Sequence, residues 1–267
     1  MRLLYRHMAQ LGFFILQNPF FKNFFSGEIY QGNLKHVCTP GLNCYACPAA
    51  AFSCPIGAAQ MFFAGARHSI SLYVTGFLLT VGVIFGKFIC GFVCPMGFLQ
   101  DLLYKIKTPK LILRLRYLRY IKYFVLVGFV VLLPMIFSNP TFCAYICPSG
   151  TIFGAVPLLA VHDFLHDYIG LQFVIKAVIA IGIVVISVFV LRIFCRVLCP
   201  LGAIYSLLNG VAILHMKCDA EKCISCKNCF NACHIKIRPK IEPNHPECFR
   251  CGKCTSACKQ KALKISL

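Results

Sequence analysis

The sequence predicts a mainly α-helical, polytopic membrane protein with about four transmembrane helices and a small cysteine-rich domain at the C-terminus. Composition is the first reason: 59% of the 267 residues are hydrophobic and only 13% are charged, with a mean hydropathy of +0.75. A soluble domain of this length is less apolar. The other reasons are a series of long apolar runs and the 19 cysteines, which recur at short, repeated spacings.

Four apolar segments predict membrane crossings, because a helix needs about 20 apolar residues to cross a bilayer. They cover residues 5–25, 69–89, 118–137 and 170–194. The first segment is the weakest, since its charge-free part is only 8–21. It follows a basic start and lacks a small-residue cleavage site, so we expect an uncleaved helix rather than a signal peptide.

The charged loops orient these helices through the positive-inside rule. The loop between the second and third segments holds Asp101 and seven basic residues: Lys105, Lys107, Lys110, Arg114, Arg116, Arg119 and Lys122. The next loop carries Asp163 and Asp167 and no Lys or Arg before Lys176. We therefore predict a multi-pass protein of the cytoplasmic membrane with both termini in the cytoplasm. Three basic residues on the predicted outer side fit this orientation less well: Lys22, Lys35 and Arg67.

The formal net charge of +19 is expected to attract anionic lipid headgroups. Nucleic acid is not an expected partner, because binding it would need a soluble basic face.

Lys87 and Lys176 lie near helix ends, and we expect both to extend to the headgroups. His162 and His166 have the spacing of a metal or haem site on a helix, but a solvated interfacial helix is the favoured interpretation.

Near His215 the apolar runs stop, which divides the chain into a membrane domain, 1–215, and a C-terminal domain, 216–267. Two Cys-x2-Cys-x2-Cys-x3-Cys runs lie in the second part, at 223–233 and 248–258. This is the spacing of bacterial two-cluster ferredoxins, in which the fourth cysteine of each run ligates the other cluster. It predicts a ferredoxin-like α+β fold with two [4Fe-4S] clusters rather than zinc. The predicted ligand sets are Cys223, Cys226, Cys229 and Cys258 for one cluster, and Cys248, Cys251, Cys254 and Cys233 for the other.

The residue after each fourth cysteine departs from this pattern. Proline is usual there, but this sequence has His234 and Lys259. We expect the fourth cysteine to begin a helix, because proline favours the first position of a helix. The departure removes no ligand.

Four Cys-Pro-x-Gly copies form an internal repeat in the membrane domain, at Cys54, Cys94, Cys147 and Cys199. Three copies have a second cysteine four residues earlier: Cys90, Cys143 and Cys195. The first copy is instead preceded by Cys44 and Cys47. Proline suits the start of a helix, whose free N–H groups and dipole then face the preceding sulfur. We therefore expect a short helix after each copy and an anionic cluster at the cysteines.

The predicted topology places these cysteines on two sides of the membrane, as expected of a duplicated two-helix unit. The cytoplasmic side would have one complete ligand shell: Cys90, Cys94, Cys195 and Cys199. The candidates for a second shell on the outer side are Cys44 or Cys47 with Cys54, Cys143 and Cys147. Simple burial of the cysteines and outer disulfides, Cys143–Cys147 or Cys44–Cys47, stay open as alternatives. Cys38 and Cys218 have no assignment.

With these motifs, the chain resembles the NapH-type quinol dehydrogenase membrane subunits and the membrane core shared by NosR-type and CcoG-type proteins. The resemblance runs from about residue 70 to the end and rests on Cys90/Cys94, Cys195/Cys199 and the ferredoxin runs. It implies four transmembrane helices, cytoplasmic iron–sulfur clusters, and electron exchange between the quinone pool and a ferredoxin-like, cytochrome or oxidoreductase subunit. The outer cysteines go beyond the NapH-type pattern and leave the partner and the direction of electron flow open.

We interpret the chain as a membrane iron–sulfur subunit that relays electrons between the quinone pool or a membrane partner and a redox enzyme. No residue pattern predicts a nucleophile or a general base, so a stand-alone enzyme is not expected. The main alternative is a membrane reductase that serves the assembly, maturation or regulation of another metalloenzyme. A zinc-bound adaptor without a redox role is a third interpretation.

Overall fold

A computed structural model describes residues 3–65, 69–112 and 117–266. Within these ranges the chain is mainly helical, with one two-stranded sheet. Three arginines used in the orientation argument lie outside the described residues: Arg67, Arg114 and Arg116.

The elements follow one another along the chain as α1 (Leu3–Gln17), α2 (Asn23–Ser26), α3 (Pro55–Phe63), α4 (Ser69–Phe85), α5 (Phe88–Phe92), α6 (Pro95–Leu103), α7 (Leu118–Phe137), α8 (Thr141–Tyr145), α9 (Gly150–Val161), α10 (Leu171–Phe189), α11 (Ile193–Val197), α12 (Pro200–Leu208), β1 (His215–Cys218), α13 (Asn228–Ala232), α14 (Lys253–Ala257) and β2 (Leu263–Ser266). Short 3₁₀ turns occur at Asn33–His36 and Asp163–Tyr168. Two helices contain π-helical stretches: α7 at Leu126–Leu132 and α9 at Gly150–Ala155.

Two of the described helices, α7 and α10, are long and apolar enough to cross a membrane. They have 20 and 19 residues and mean hydropathies of 2.2 and 2.5. Helix α4 is also apolar but has 17 residues. Length and composition therefore support membrane insertion for two helices, and the four crossings stay a prediction.

The first predicted crossing, 5–25, is broken into two helices. Helix α1 ends at Gln17 after 15 residues, fewer than the roughly 20 that a crossing needs. Pro19 explains the break, because proline lacks an N–H and disfavours the helical conformation at Asn18 before it. The end of α1 is fixed by the Gln17 side chain, whose amide donates to the Val93 carbonyl oxygen at 2.9 Å.

A repeated unit builds the membrane domain: a long helix, a short helix, a Cys-Pro step and a further helix. The unit occurs as α4–α5–α6, as α7–α8–α9 and as α10–α11–α12. Between the long and the short helix, each copy contains a residue with positive φ: Gly86 at 52°, Ser138 at 54° and Arg192 at 52°. This left-handed residue turns the chain so that the short helix brings its cysteine inward.

The Cys-Pro steps begin helices as the sequence predicts. Cys54, Cys94 and Cys199 have extended backbones, and the proline after each is the first residue of α3, α6 or α12. Helix α9 follows the fourth step, at Cys147. The expectation of a short helix after each copy is confirmed, and the cysteines themselves are part of one buried core.

The C-terminal domain pairs β1 with β2 in antiparallel register, with His215 opposite Ser266. Each of its two short helices contains the third cysteine of a run, Cys229 or Cys254, and Cys233 and Cys258 end these helices in extended backbone. The expectation that the fourth cysteine begins a helix is therefore wrong. His234 follows a helix end, where the preference of proline for helix starts does not apply.

The C-terminal domain packs directly against the membrane domain. Arg250 is fully buried and donates to the carbonyl oxygens of Phe85 at 2.9 Å and Asn209 at 2.7 Å. The Asn209 amide in turn donates to the Cys248 carbonyl at 3.3 Å. The ring of His234 lies edge-on to Tyr104, with 5.7 Å between centroids, so the residue that replaces proline contacts the residue that follows α6.

A buried ion triad joins the two domains and corrects the prediction for Lys87. Lys87 does not reach the headgroups: it is fully buried, and its ammonium lies 2.6 Å from the Glu247 carboxylate. Lys122 pairs with the other oxygen of Glu247 and donates to the Ser206 hydroxyl at 2.6 Å. Burial alone would raise the pKa of Glu247, but the charges of Lys87 and Lys122 lower it to about 2. Removing one partner of such a pair leaves a buried charge without compensation, which destabilises the fold.

Candidate iron–sulfur sites

Four cysteines of the membrane domain converge beside the C-terminal domain. They come from the steps between α5 and α6 and between α11 and α12, and each is 6% exposed or less. Electrostatic interactions link Cys199 to the other three members. This group, called the inner set, is the one that the sequence predicts: Cys90, Cys94, Cys195 and Cys199.

Backbone N–H groups point at the sulfurs of the inner set. The Leu42 N–H lies 3.4 Å from Cys94 Sγ, and the Gly202 N–H lies 3.3 Å from Cys199 Sγ. Glycine is required at 202, because a Cβ there would lie 2.7 Å from the Cys195 carbonyl oxygen. Donors of this kind stabilise a negatively charged sulfur away from water. Four buried cysteines with such donors fit a [4Fe-4S] cluster.

Arg192 brings a positive charge to the inner set and is fixed by a carboxylate. It donates to the Cys90 carbonyl at 2.5 Å and to Asp101 Oδ1 at 2.8 Å. Asp101 also pairs with Arg6 and accepts from the Gln10 amide at 2.7 Å. Burial would raise the pKa of Asp101, but the charges of Arg192 and Arg6 hold that pKa well below its usual range.

A second group of four cysteines, called the outer set, gathers around the starts of α3 and α9. Cys54 interacts electrostatically with Cys143 and Cys147. Both of those cysteines interact with Cys44. The outer set is therefore Cys44, Cys54, Cys143 and Cys147.

Cys47, the alternative to Cys44 in the sequence analysis, interacts with Cys44 but differs from it in its other neighbours. Its Sγ lies 3.9 Å from Asn18 Oδ1, and it packs against Ala49 and Ala50. The structure thus favours Cys44 as the fourth member of the outer set. All 19 cysteines fall in the described ranges, and none of them is joined in a disulfide in this structure.

Gln60 and Gln100 occupy matching positions in the two sets. The Gln60 amide donates to Cys143 Sγ at 3.1 Å, and the Gln100 amide donates to Cys195 Sγ at 3.2 Å. Both side chains are fully buried. Each glutamine follows its Cys-Pro cysteine by six residues, in CPIGAAQ and CPMGFLQ. The sequence analysis missed this pair, although the shared spacing was a visible signal.

The glutamine oxygens complete the match. Gln60 Oε1 accepts from the Phe142 N–H at 2.9 Å, and Gln100 Oε1 accepts from the Phe194 N–H at 3.2 Å. Phe142 and Phe194 directly precede Cys143 and Cys195. Each glutamine therefore fixes both the backbone and the sulfur of one cysteine, and the two sets share one local design.

Lys176 faces the outer set rather than the headgroups, which corrects a second prediction. It interacts with Cys44, Cys143 and Cys147. A Cβ at Gly150 would lie 3.1 Å from the Lys176 ammonium. Each membrane set thus has a basic side chain beside its sulfurs, and the outer set also fits an anionic cluster.

The second cysteine run of the C-terminal domain takes its fourth member from the first run. Cys248 interacts with Cys251 and with Cys233. Cys254 interacts with all three of these cysteines. The structure therefore brings together the four residues that the ferredoxin spacing predicts for this cluster.

The other ferredoxin set is more open. Cys229 interacts with Cys223 and Cys226, and Cys226 is exposed. Cys218, which had no assignment, interacts with Cys223, Cys229 and Cys258. Cys218 therefore lies beside three members of the predicted set, Cys223, Cys229 and Cys258. Its thiol is an additional one next to that set.

The remaining candidates do not form a metal site of their own. Among the residues that the structure describes, no three Cys, His, Asp or Glu side chains are close enough to hold a single metal ion. His162 and His166 each contact a carbonyl oxygen, of Gly27 at 3.3 Å and of Leu159 at 3.0 Å. Cys38 is buried and its N–H donates to the Tyr73 hydroxyl at 3.3 Å.

Sequence comparisons agree with the repeated unit. Three segments match a family described as a 4Fe-4S binding domain, at residues 68–116, 123–161 and 174–217. Each segment covers one Cys-Pro step and most or all of its long helix. The family match therefore follows the three structural copies. No solved structure matches the chain.

Several curated proteins are similar to the chain. Protein MJ0750 of Methanocaldococcus jannaschii is 32% identical over 199 residues, which are 71% of this chain and 76% of the relative. The putative electron transport protein YccM of Escherichia coli is 23% identical over 72% of this chain and 54% of the relative. The ferredoxin-type protein NapH of Haemophilus influenzae is 30% identical over 84 residues, 27% of this chain and 29% of the relative. The chain belongs to the family of polyferredoxin-like membrane iron–sulfur proteins that includes the NapH type. The 4Fe-4S family match and these relatives support a role in iron–sulfur electron transfer.

Proposed function

We propose that this protein is a membrane-embedded electron-transfer subunit with four [4Fe-4S] clusters, two in the C-terminal domain and one each at the inner and outer sets. The observation that carries the proposal is the convergence of eight membrane cysteines, six of them buried and two partly buried, into two groups of four. Clusters bound there would supply one-electron chemistry, with potentials set by burial and by hydrogen bonds to sulfur. The chain itself excludes water, positions the thiols and provides the donors.

Contact between the two domains supports electron passage between the second ferredoxin set and the inner set. Phe249 directly follows Cys248, and Gly91 directly follows Cys90. A Cβ at Gly91 would lie 2.7 Å from the Phe249 carbonyl oxygen, so the two ligand-bearing backbones touch. The buried ring of Phe249 also packs against the Arg192 guanidinium, with its centroid 4.9 Å away.

The proposed setting is the cytoplasmic membrane, with crossings at α4, α7 and α10, a first crossing that uses α1 together with the chain after its break at Gln17, and both termini in the cytoplasm. The basic residues around 105–122 and the position of the C-terminal domain beside the inner set support this orientation. Lipid surrounds α7 and α10 in this arrangement. The proposed partners are quinone or quinol and other redox subunits, and the open ferredoxin set with exposed Cys226 suits contact with a redox subunit.

An EPR redox titration of anaerobically purified protein tests the proposal. We expect wild-type protein to show signals from the two ferredoxin sites and from two further sites. Cys199→Ser should lose one membrane signal, and Cys47→Ser, the matched control outside both sets, should lose none. Signals from the ferredoxin sites alone, unchanged in Cys199→Ser, would refute the membrane clusters.

A further inference from the structure

We propose that the inner and outer sets form one redox pair, joined inside the membrane domain by the segment Pro40–Cys44 and by Tyr205. This inference rests on the proposed function, since it requires a cluster at each set. It adds that electrons pass directly between the two sites. The hydrocarbon core is about 30 Å thick, so passage across it depends on sites drawn inward toward each other.

The first observation is that one short segment touches both sets. The Leu42 N–H lies 3.4 Å from Cys94 Sγ in the inner set. Two residues later, Cys44 contributes its thiol to the outer set. An extended chain covers at most about 7 Å in two residues. A sulfur of each set therefore lies beside the same few atoms of backbone.

The segment is held in this position by a close approach and by polar contacts. A Cβ at Gly41 would lie 2.9 Å from the Cys94 Cα, so the backbone passes Cys94 as closely as glycine permits. The Asn43 amide donates to the Gln17 carbonyl at 3.4 Å, at the end of α1. Irregular backbone at membrane depth is stable only when protein surrounds it, and Leu42 and Asn43 are each 1% exposed.

The second observation is Tyr205, a fully buried aromatic residue that interacts with members of both sets. Its hydroxyl donates to the Pro40 carbonyl at 2.9 Å, which ties it to the shared segment. Tyr205 interacts electrostatically with three inner cysteines and also with Cys54 of the outer set. It follows Cys199 by six residues, the position that Gln60 and Gln100 occupy in their own copies.

The proposed step moves one electron and makes or breaks no bond. One site is oxidised by one electron as the other is reduced, so the pair needs no further oxidant or reductant. The chain's part is to keep the sites adjacent and dry: the Cys-Pro steps set the thiols, and Tyr205 with the shared segment fills the space between them.

Spin–spin interaction in EPR tests the adjacency. In fully reduced, anaerobic protein we expect the two membrane signals to be split or broadened by each other. Cys199→Ser should leave the outer-set signal narrow, because the inner set is the neighbour that broadens it in this account. If iron analysis shows both membrane sites filled but the outer-set signal is equally narrow in wild-type and Cys199→Ser protein, the pairing is wrong. If the outer site holds no iron in wild-type protein, the proposed function fails instead.

Variants of Tyr205 test the bridge separately. After rapid reduction of the inner site, Tyr205→Leu should lose the fast phase of electron re-equilibration with the outer site while keeping its iron content. Tyr205→Phe keeps the ring and should retain that phase. If Tyr205→Leu protein keeps its full iron content and the wild-type fast phase, Tyr205 is not part of the electron path. The EPR spin interaction then remains the test of whether the two sites are adjacent.

Discussion

Substitutions of Gln60 and Gln100 are expected to change the reduction potentials of the proposed membrane clusters most directly. An N–H donor to a cysteine sulfur favours the more negative, reduced cluster, so its loss lowers the reduction potential. One hydrogen bond of about 1.4 kcal/mol corresponds to roughly 60 mV for one electron. We expect Gln100→Leu to lower the inner-site potential by that order, and Gln60→Leu to do so at the outer site. A redox titration measures this, with exposed Gln260→Leu as the control, and unchanged potentials would contradict it.

Asp101 is predicted to stabilise the fold through the two arginines that it neutralises. Asp101→Asn leaves Arg6 and Arg192 buried without their partner, which costs about 3–5 kcal/mol in comparable pairs. The pKa of Asp101 is lowered in the folded state, so its contribution is present above the unfolded pKa of about 3.9 and is lost as pH falls below it.

Urea unfolding in detergent at pH 7 and at acidic pH measures both parts of the Asp101 prediction. The free energy of unfolding should be much lower for Asp101→Asn than for wild type at pH 7. This difference in free energy should begin to decrease below about pH 4. The exposed Asp167→Asn variant is the control and should unfold like wild type. A difference that is absent at pH 7, or that grows toward acid, would contradict the ion network.

Residue roles were predictable where short motifs determine them. The inner set and the second ferredoxin set follow from spacing and topology, and the structure brings those cysteines together. The roles of Lys87 and Lys176 were not predictable from local sequence, because their partners are distant: Lys87 pairs with Glu247, 160 positions away. The local sequence around a lysine near a helix end is the same whether its ammonium reaches the lipid headgroups or pairs with a buried carboxylate.

At the scale of elements, the short helix α5 provides one of the contacts that dock the C-terminal domain. Gly91→Ala places a Cβ 2.7 Å from the Phe249 carbonyl oxygen, and overpacking of this kind typically costs about 1–3 kcal/mol. We expect faster hydrogen exchange around Phe249 and Arg250 in this variant, with iron content retained.

Gly182→Ala is the matched control for that experiment. It lies in α10 with open space where the Cβ would be, and alanine favours a helix over glycine by about 1 kcal/mol. Its exchange around Phe249 should equal that of wild type. Equal exchange in Gly91→Ala as well would show that the backbones of the two domains do not press on each other at this point.

Element boundaries were predictable in part. The helix starts after the Cys-Pro steps follow from the fixed φ of proline and its missing N–H, and they are found as expected. Pro19 likewise indicated the break after Gln17. The apolar run around Pro19 nevertheless favoured a single crossing, so the sequence did not predict this break. The helices before Cys233 and Cys258 were placed on the wrong side of those cysteines, because cysteine spacing alone does not say which side is helical.

At the scale of the whole molecule, the sites form a chain from one domain into the other. The exposed ferredoxin set lies in the C-terminal domain, the second ferredoxin set contacts the inner set at Gly91, and the inner set shares the segment Pro40–Cys44 with the outer set. Sequence topology predicted two membrane sets on opposite sides. It could not predict their proximity, which depends on a loop that enters the core between helices far apart in the sequence.

Iron and sulfide analysis of anaerobically purified protein tests the central claim most directly. Four [4Fe-4S] clusters predict about 16 iron atoms per chain, and about 12 in each of the Cys54→Ser and Cys199→Ser variants. Cys47→Ser should retain the wild-type content. A wild-type content of about eight iron atoms, unchanged in both variants, would place clusters only in the C-terminal domain and would contradict the account.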